Sequence, residues 1–246
     1  MLTAEAERLF SGLIGEEYHM LKLICPAAAE MSRQVGEFVE GWHAEHSLNV
    51  FEIGCGTGIT TAALLSGREN IVMIALDNEP AMLAQANRNL ARWIEAGRLQ
   101  LWERDALSGL QALADDSVDV VASAYTLHNF LDAYRRQVTG EIYRVLKPGG
   151  VFVNGDRYGL DDTLAHTRLI QEELRHYCRT FSSIERADLL EQWVVHLYGD
   201  ESPDHIMRFQ PALRCLEQSG FDPVVVHYRE GVNTLVSAVK PASFAT

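Results

Sequence analysis

The stretch 50-VFEIGCGTGITTAALL-65 places three glycines at alternate positions, directly after an apolar run that includes Glu52. The apolar run is typical of a buried strand, and ITTAALL begins a helical pattern. Glycine permits a positive φ in a tight turn, and it lets a ligand approach the backbone because it has no Cβ. A helix after such a loop points its free N–H groups at the ligand. The stretch therefore predicts a strand, a ligand-binding loop and a helix.

Further short apolar runs, rich in β-branched residues, alternate with helical patterns along the chain. They are IVMIAL, LQLW, VDVVAS and GVFVNG. Such strands, separated by amphipathic helices, indicate a parallel sheet covered on both faces. The last two runs, GFDPVVVHYRE and VNTLVSAVK, flank a Glu230-Gly231 turn and predict an antiparallel hairpin. We therefore expect an α/β fold with a doubly wound, mostly parallel seven-stranded sheet, a C-terminal antiparallel hairpin and helices on both faces.

The whole chain, residues 1–246, is expected to form one domain, because it contains no repeat, low-complexity tract or Pro/Gly-rich linker. Residues 1–46 have helical periodicity and predict an N-terminal helical cap. Residues 160–218 interrupt the alternation of strands and helices and predict a helical insertion. The apolar stripe of this insertion fits either a lid over the site or a homodimer interface. The stripe consists of Leu189, Leu190, Trp193, Val194 and Leu197.

Composition and charge limit the class of partner. The net charge of −13 disfavours nucleic acid as a partner, since phosphate binding relies on a face rich in Lys and Arg. No apolar run approaches the ~20 residues needed to cross a bilayer, so no membrane partner is expected. The segment MLTAEAERLF lacks the basic region of a secretory signal, and the four cysteines show no CxxC spacing. These features predict a cytoplasmic protein with reduced thiols.

No metal site is predicted from the histidines and cysteines. His166, His176 and Cys178 follow one another at spacings of ten and two residues, which places them on different faces of one helix. The remaining histidines of the C-terminal half lie in separate elements.

Asp77 ends the second predicted strand, in 71-IVMIALDNEPAML-83. A carboxylate at this point accepts hydrogen bonds from two ribose hydroxyls, a charge-assisted bidentate contact. Asp77 or Asn78 would equally cap the following helix, and the two roles are compatible. The dinucleotide fingerprint G-x-G-x-x-G requires a glycine where this chain has Ile59, which disfavours a nicotinamide-dependent enzyme.

A series of motifs, in order along the chain, resembles the class I S-adenosylmethionine (SAM)-dependent methyltransferases. The motifs are 51-FEIGCGTG-58, Asp77, 101-LWERDAL-107, 119-DVVASAYTLHNF-130 and 145-VLKPGGVFV-153. The resemblance implies a Rossmann-like fold, SAM as cofactor and S-adenosylhomocysteine as product. It also implies transfer of a methyl group to a small-molecule acceptor by in-line displacement.

The same resemblance implies which residues hold the cofactor. The glycine loop receives the methionine part, and Glu52 orients its ammonium group through the loop or a water. Asp77 holds the ribose, and Asp105 accepts from the adenine amino group. Ser123 and Ala124 lie under the sulfonium. The full set comprises Glu52, Gly54, Cys55, Gly56, Gly58, Asp77, Asn78, Met82, Asp105, Ala106, Ser123 and Ala124.

The catalytic candidates follow from the need to remove a proton from an oxygen or nitrogen acceptor. His128 is the first candidate, since neutral imidazole is a competent base near neutral pH. Its alternative role is to pack or hydrogen-bond beneath the ligand. Tyr125 is a second candidate, and Tyr18 a third, in a segment that either folds over the pocket or forms a helix surface or core. The segment Asp156-Arg157-Tyr158 supplies further candidates or, alternatively, a solvated ion pair.

A second resemblance is to the carboxy-SAM synthases, which share the fold and convert SAM with prephenate for tRNA wobble-uridine modification. It is carried by 76-LDNEPAM-82, the helices after strand five and the ending NTLVSAVK. It implies an arginine in the insertion that pairs with the added carboxylate, and Arg186 lies near that place. The GCGTG loop departs from that family. Carboxy-SAM synthesis is therefore the alternative function, followed by a nicotinamide-dependent oxidoreductase and a non-catalytic SAM-binding protein.

Overall fold

The computed structural model describes Phe10, Gly15, residues 20–43 and residues 45–242. A seven-stranded sheet lies at its centre. The strands are β1 Leu48–Ile53, β2 Ile71–Asp77, β3 Leu99–Glu103, β4 Val118–Ala124, β5 Leu146–Arg157, β6 Val224–Glu230 and β7 Asn233–Val239. Their order across the sheet is β3-β2-β1-β4-β5-β7-β6, with β1 to β5 parallel and β7 antiparallel to both of its neighbours. The predicted fold class, including the terminal hairpin, is confirmed.

Helices connect the strands and cover both faces of the sheet. They are α1 Leu21–Ile24, α2 Ala27–Gly41, α3 Ile59–Gly67, α4 Pro80–Asn89, α5 Ala91–Glu95, α6 Ala106–Gln111, α7 Asp132–Val145, α8 Thr163–Ser183, α9 Ala187–Asp200 and α10 Phe209–Gln218. A short 3-10 turn, Leu127–Asn129, follows β4. None of the described helices is both long and apolar enough to cross a membrane.

Strand alternation divides the core between the two faces of the sheet. Val50 packs with side chains from α2, α3 and α4, whereas its neighbour Phe51 packs with side chains from α6 and α7. Both are almost fully buried, as expected for a parallel strand between two helical layers. A third apolar cluster joins α8 and α9 to Ile24, through Phe181, Trp193 and other residues. The helical insertion therefore packs on the N-terminal part of the chain.

The strand order reverses between β1 and β4, the point at which open α/β sheets bind ligands beyond the carboxyl ends of their strands. The glycine loop follows β1, and Tyr125 and the 3-10 turn follow β4. The fold thus brings the two segments that the sequence singled out to one crevice.

Two local features depart from a regular alternation of strands and helices. The helical segment between β2 and β3 is broken at Leu90, which separates α4 from α5. The Leu90 side chain is fully buried against the backbone of Gly58, so the break lets it fill the space under the loop. The LKPGG part of the motif 145-VLKPGGVFV-153 lies inside β5, and the pairing of β5 with β4 shifts there, between Val118 and Val120.

Candidate active site

A cleft lies at the carboxyl ends of β1, β2 and β4 and encloses about 910 Å³ of empty space, open solvent at its mouth included. Most of the residues expected to hold the cofactor line it. They are Gly54, Cys55, Gly56, Asp77, Asn78, Met82, Ala106 and Ala124.

Glycine is needed at the three loop positions for different structural reasons. All three have positive φ, from +52° to +93°. A Cβ on Gly54 would lie 2.2 Å from Thr126 Oγ1, and one on Gly58 would lie 2.6 Å from Leu90 Cδ1. A Cβ on Gly56 would meet no atom within 4 Å. Gly54 and Gly58 are therefore required by packing within the protein, whereas Gly56 leaves open space beside the cleft.

Asp77 connects the ends of the first two strands. Its Oδ2 accepts from the Gly56 N–H at 2.8 Å, and its Oδ1 accepts from the Glu79 N–H at 2.9 Å. Burial raises the pKa of Asp77, and these two hydrogen bonds oppose that rise. Each carboxylate oxygen keeps a second lone pair, so the group can fix the loop and accept from a ligand's hydroxyls together. The side chain that caps α4 is that of Glu79, which accepts from the Ala81 N–H.

Asp77→Ala is expected to weaken SAM binding by about 1.5–3 kcal/mol, the range for a hydrogen bond to a charged group. Calorimetric titration with SAM measures the change. Asp119→Ala is the matched control. Asp119 lies near the amino end of β4, away from the carboxyl ends that form the cleft, and its carboxylate accepts from Lys147 and from the Asn49 N–H. Equal affinities of the two variants would contradict the ribose contact.

Glu52 lies beneath the loop and does not line the cleft. Its side chain is fully buried, and Oε2 accepts from Thr61 Oγ1 at 2.6 Å, whereas Oε1 has no partner within the described chain. Burial, aided by the nearby Asp77, raises the pKa of Glu52 to about 8. The contact to the cofactor's ammonium group stays a prediction, and from this position it would have to run through the loop.

The pKa of Glu52 predicts how the stability of the fold depends on pH. Because the folded-state pKa of about 8 exceeds the ordinary value of 4.5, the folded chain binds this proton more tightly than the unfolded chain. The stability from this group is complete below the unfolded pKa and is lost as pH rises toward 8. Relative to Glu52→Gln, the free energy of unfolding of the native protein should fall by about 1 kcal/mol per pH unit across that window.

Urea unfolding of both proteins at several pH values between these limits tests this expectation. Glu103→Gln, which changes an exposed carboxyl at the end of β3, controls for the loss of a charge. If the free energies of unfolding of the native protein and of Glu52→Gln change with pH in the same way, Glu52 does not hold its proton in the folded state.

Asp105 caps α6 beside the cleft but does not itself line the cleft. It accepts from the Ser108 N–H at 2.9 Å and from the Tyr134 hydroxyl at 3.0 Å. Partial burial raises the pKa of Asp105, but these hydrogen bonds outweigh it and lower the pKa overall. The neighbours Arg104 and Ala106 line the cleft instead. The adenine contact predicted for Asp105 stays a prediction.

Ser123 is fully buried, and its hydroxyl donates to the Ile53 carbonyl at 3.2 Å, which ties β4 to β1. Ala124, the next residue, faces the cleft. Of the two residues expected under the sulfonium, the structure thus brings Ala124 to the cleft and places Ser123 in the sheet.

His128 and Asp156 form a buried pair beyond β4 and β5. His128 Nδ1 lies 2.5 Å from Asp156 Oδ1, and Asp156 also accepts from the N–H groups of Leu127 and Arg157. Burial would raise the pKa of Asp156, but the charge and hydrogen bonds of His128 lower it overall, so the carboxylate is ionised. When His128 is neutral instead, an ionised partner at Nδ1 keeps the remaining proton on Nδ1 and leaves the lone pair on Nε2.

The alternative interpretation of Asp156-Arg157-Tyr158 as a solvated pair is wrong. Asp156 is fully buried and Tyr158 is 2% exposed. Arg157 makes two hydrogen bonds to Glu173 of α8, at 3.1 and 2.9 Å. The insertion covers this end of β5, and so the segment is enclosed.

Tyr125 stands at the wall of the cleft with a positive φ of 50°. Its hydroxyl donates to Asn233 and accepts from Cys25 Sγ at 3.3 Å. Burial raises the pKa of Tyr125 well above its ordinary value. A phenol held neutral in this way is a poor base, so the geometry favours His128 over Tyr125. Tyr18, the third candidate, lies outside the described residues.

A second cavity, with about 400 Å³ of empty space, adjoins the cleft. Phe10 and Tyr125 line both spaces and therefore lie between them. The second cavity is further lined by Cys25, His128, Arg157, Tyr177, Trp193, His196, Leu197 and Asp200. We call it the acceptor cavity, because it presents His128 to the space beside the cleft.

Several residues of the two spaces escaped the sequence reasoning. Thr126, Asn129 and Phe130 line the cleft. Their position shortly after strand four was an available signal. His196 and Asp200 line the acceptor cavity, and their spacing of four residues on a helix was an available signal. Within the described ranges, no group of three or more His, Cys, Asp or Glu residues is arranged to hold a metal ion.

Residues 51–154 match the model of a protein family described as a methyltransferase domain, and this segment contains the glycine loop, Asp77 and His128. Over this segment the chain is similar to the class I SAM-dependent methyltransferases. Proteins with this domain use SAM, so the similarity points to SAM as the cofactor.

Curated proteins similar to this chain include carboxy-S-adenosyl-L-methionine synthases. The protein from Photobacterium profundum is 27% identical over 153 residues, which cover 61% of each chain. The protein from Erwinia tasmaniensis is 28% identical over 148 residues, 58% of this chain and 57% of that one. The match thus spans about three fifths of the length of these relatives.

Solved structures with the same fold include an O-methyltransferase family protein from Burkholderia thailandensis. It has a TM-score of 0.66 and 15% identity, with 99% of this chain and 65% of that chain covered. The carbon methyltransferase CurJ has a TM-score of 0.64 and 18% identity, with coverages of 92% and 58%. At these identities the likeness shows the fold.

The geometry of the cleft fits SAM. Gly56 leaves space for the methionine part to approach the loop backbone, and Asp77 retains acceptor capacity for the ribose. Asn129 is 7% exposed, lines the cleft, and has an Oδ1 without a hydrogen-bond partner in the described structure. A ligand that donates to this oxygen would satisfy it.

Proposed function

We propose that this protein transfers the methyl group of SAM to a small molecule whose nucleophilic atom carries a proton, and that His128 removes that proton. The observation that carries the proposal is the buried His128–Asp156 pair in a cavity that shares Phe10 and Tyr125 with the cofactor cleft.

The chain's own residues supply orientation and proton transfer. SAM, when bound, supplies a methyl group already activated by its sulfonium. Gly56, Asp77 and Asn129 would hold it in the cleft. His128 Nε2 accepts the proton of the acceptor's nucleophile, and the ionised Asp156 stabilises the imidazolium through Nδ1. Holding the acceptor and the methyl donor in adjoining spaces converts an encounter of two molecules into an oriented reaction, an effect of about 7–11 kcal/mol in favourable cases.

Carboxy-SAM synthesis is the second candidate, favoured by the curated relatives. It would require a cation near the cofactor's methyl end to pair with the new carboxylate. Arg186 does not meet this need, because it lies at the start of α9, outside both cavities, and pairs with Asp188 at 2.9 Å. Arg157 lines the acceptor cavity, but Glu173 already neutralises it. These contacts support methyl transfer over carboxy-SAM synthesis.

Two mass-spectrometric measurements test the proposal. Purified protein incubated with SAM and a panel of small alcohols, phenols and amines should release S-adenosylhomocysteine and yield one acceptor heavier by a methyl group in place of a hydrogen. Cofactor extracted from the protein should have the mass of SAM or its demethylated product. A cofactor heavier than SAM by a carboxylate would favour the second candidate instead.

A further inference from the structure

Two residues that line the acceptor cavity each carry a buried polar atom without a hydrogen-bond partner in the described chain. The atoms are Asp200 Oδ1 and Trp193 Nε1, and both residues are more than nine-tenths buried. A buried donor or acceptor left unpaired loses the hydrogen bonds it makes with water in the unfolded chain, and the loss is larger for a charged group. A ligand that both donates and accepts hydrogen bonds would remove both penalties.

Asp200 occupies an unfavourable place for a carboxylate. It is the last residue of α9, where the helix dipole is negative. The histidines nearest to it do not supply a compensating hydrogen bond. His196 Nε2 lies 3.4 Å from Asp200 Oδ2 and His128 Nε2 lies 3.9 Å from it. Burial lowers the pKa of His196, which therefore stays neutral near neutral pH.

The cation that lines the same cavity is already compensated. The Arg157 guanidinium forms its two hydrogen bonds with Glu173 and lies 3.8 Å from Glu201 Oε1. With Arg157 paired to Glu173, Asp200 is the acidic side chain that remains among the residues lining the acceptor cavity. An anionic acceptor would be repelled, and a cationic one attracted.

The walls of the cavity are aromatic. Phe10, Tyr125, Tyr177 and Trp193 line it together with Leu197. Trp193 and His196 meet edge to face, with ring centroids 5.6 Å apart. Aromatic faces attract cations and pack well against planar or aliphatic groups. The combination of aromatic rings and one unpaired carboxylate oxygen is suited to an organic ammonium ion.

We propose that the acceptor of this enzyme is a small amine with an aromatic or aliphatic body, selected by a hydrogen bond from its ammonium group to Asp200 Oδ1. An oxygen elsewhere on the molecule accepts from Trp193 Nε1. Asp200 is thus a specificity-determining residue. This inference rests on the proposed function and names the acceptor class of the same site.

Tyramine and its alcohol analogue tyrosol are a suitable probe pair, because they differ in the amine and share the ring and phenolic oxygen. Calorimetric titration in the presence of saturating S-adenosylhomocysteine measures binding without any reaction. The wild-type protein should bind tyramine at least tenfold more tightly than tyrosol. Asp200→Asn should abolish the preference, and Trp193→Phe should weaken both probes alike.

Asp188→Asn is the matched control, since Asp188 lies on the same helix but pairs with Arg186 outside the cavity. It should retain the preference for the amine. Equal affinity of the wild-type protein for the two probes, no binding of tyramine, or a preference that survives in Asp200→Asn would each overturn the inference. The wild-type comparison needs no variant, so it stands even if Asp200→Asn fails to fold.

The two proposals fail in different measurements. If the protein prefers the amine through Asp200, but no acceptor ever yields S-adenosylhomocysteine, the inference about amine selectivity is supported and the proposal of methyl transfer is contradicted. If S-adenosylhomocysteine is released from alcohols or phenols without any amine preference, methyl transfer stands and the amine inference falls.

Discussion

His128→Ala should lower the turnover number by about 10²–10⁴-fold with the acceptor found in the product-release screen, because this is the usual contribution of a positioned general base. SAM affinity should change little, since His128 lines the acceptor cavity and not the cofactor cleft. Steady-state kinetics gives the turnover number, and calorimetry gives the dissociation constant of SAM. A loss confined to turnover assigns His128 to the chemical step.

His227→Gln is the matched control for this variant. His227 lies on β6, and its Nε2 is 2.7 Å from the Ser237 hydroxyl, away from both cavities. It should keep full turnover. If His128→Ala retains turnover within a few fold, or loses SAM affinity in proportion to its activity, His128 is a wall of the pocket and the acceptor needs no base from this residue.

The sheet was predictable from sequence because parallel strands buried on both faces leave a strong local signal. The run LNVFEI corresponds residue for residue to β1. The break at Leu90 was not predictable, because nothing local to residues 80–95 marks it. It depends on the space beneath Gly58, more than 30 residues earlier in the chain.

The cofactor cleft was predictable for a related reason. The residue types expected to meet a ligand, Gly56 and Asp77, lie at or just after the ends of β1 and β2, and both line the cleft. The positions of the Glu52 and Ser123 side chains were harder to predict from sequence. A place at the end of a strand does not reveal whether a side chain faces the crevice or the interior of the protein. Glu52 lies beneath the loop, bonded to Thr61.

The acceptor cavity was not predictable, because it forms between elements distant in sequence. His128 follows β4, Arg157 ends β5, and Asp200 ends α9. Whether the segment around Asp156 is solvated or enclosed depends on where the insertion packs. That packing follows from long-range apolar contacts, which leave no motif.

Gly56→Ala should weaken SAM binding by about 10–100-fold while leaving the protein folded. The added Cβ would meet no protein atom within 4 Å, so the fold bears only the cost of a non-glycine residue at φ +52°, about 1–2 kcal/mol. A ligand seated against this backbone would meet the methyl group directly. Overpacking of a close contact typically costs about 1–3 kcal/mol, which corresponds to the expected loss of affinity.

Gly97→Ala separates the backbone cost from the steric effect on the ligand. Gly97 also has a positive φ, +70°, and its Cβ would also meet no atom within 4 Å, but it precedes β3 and does not line the cleft. Both variants should show a similar fall in thermal midpoint, and Gly56→Ala alone should lose SAM affinity in calorimetry. Both variants carry the same backbone strain, and only Gly56→Ala adds a methyl group at the cleft. Equal SAM affinities in the two variants would therefore mean that the cofactor does not contact the glycine loop.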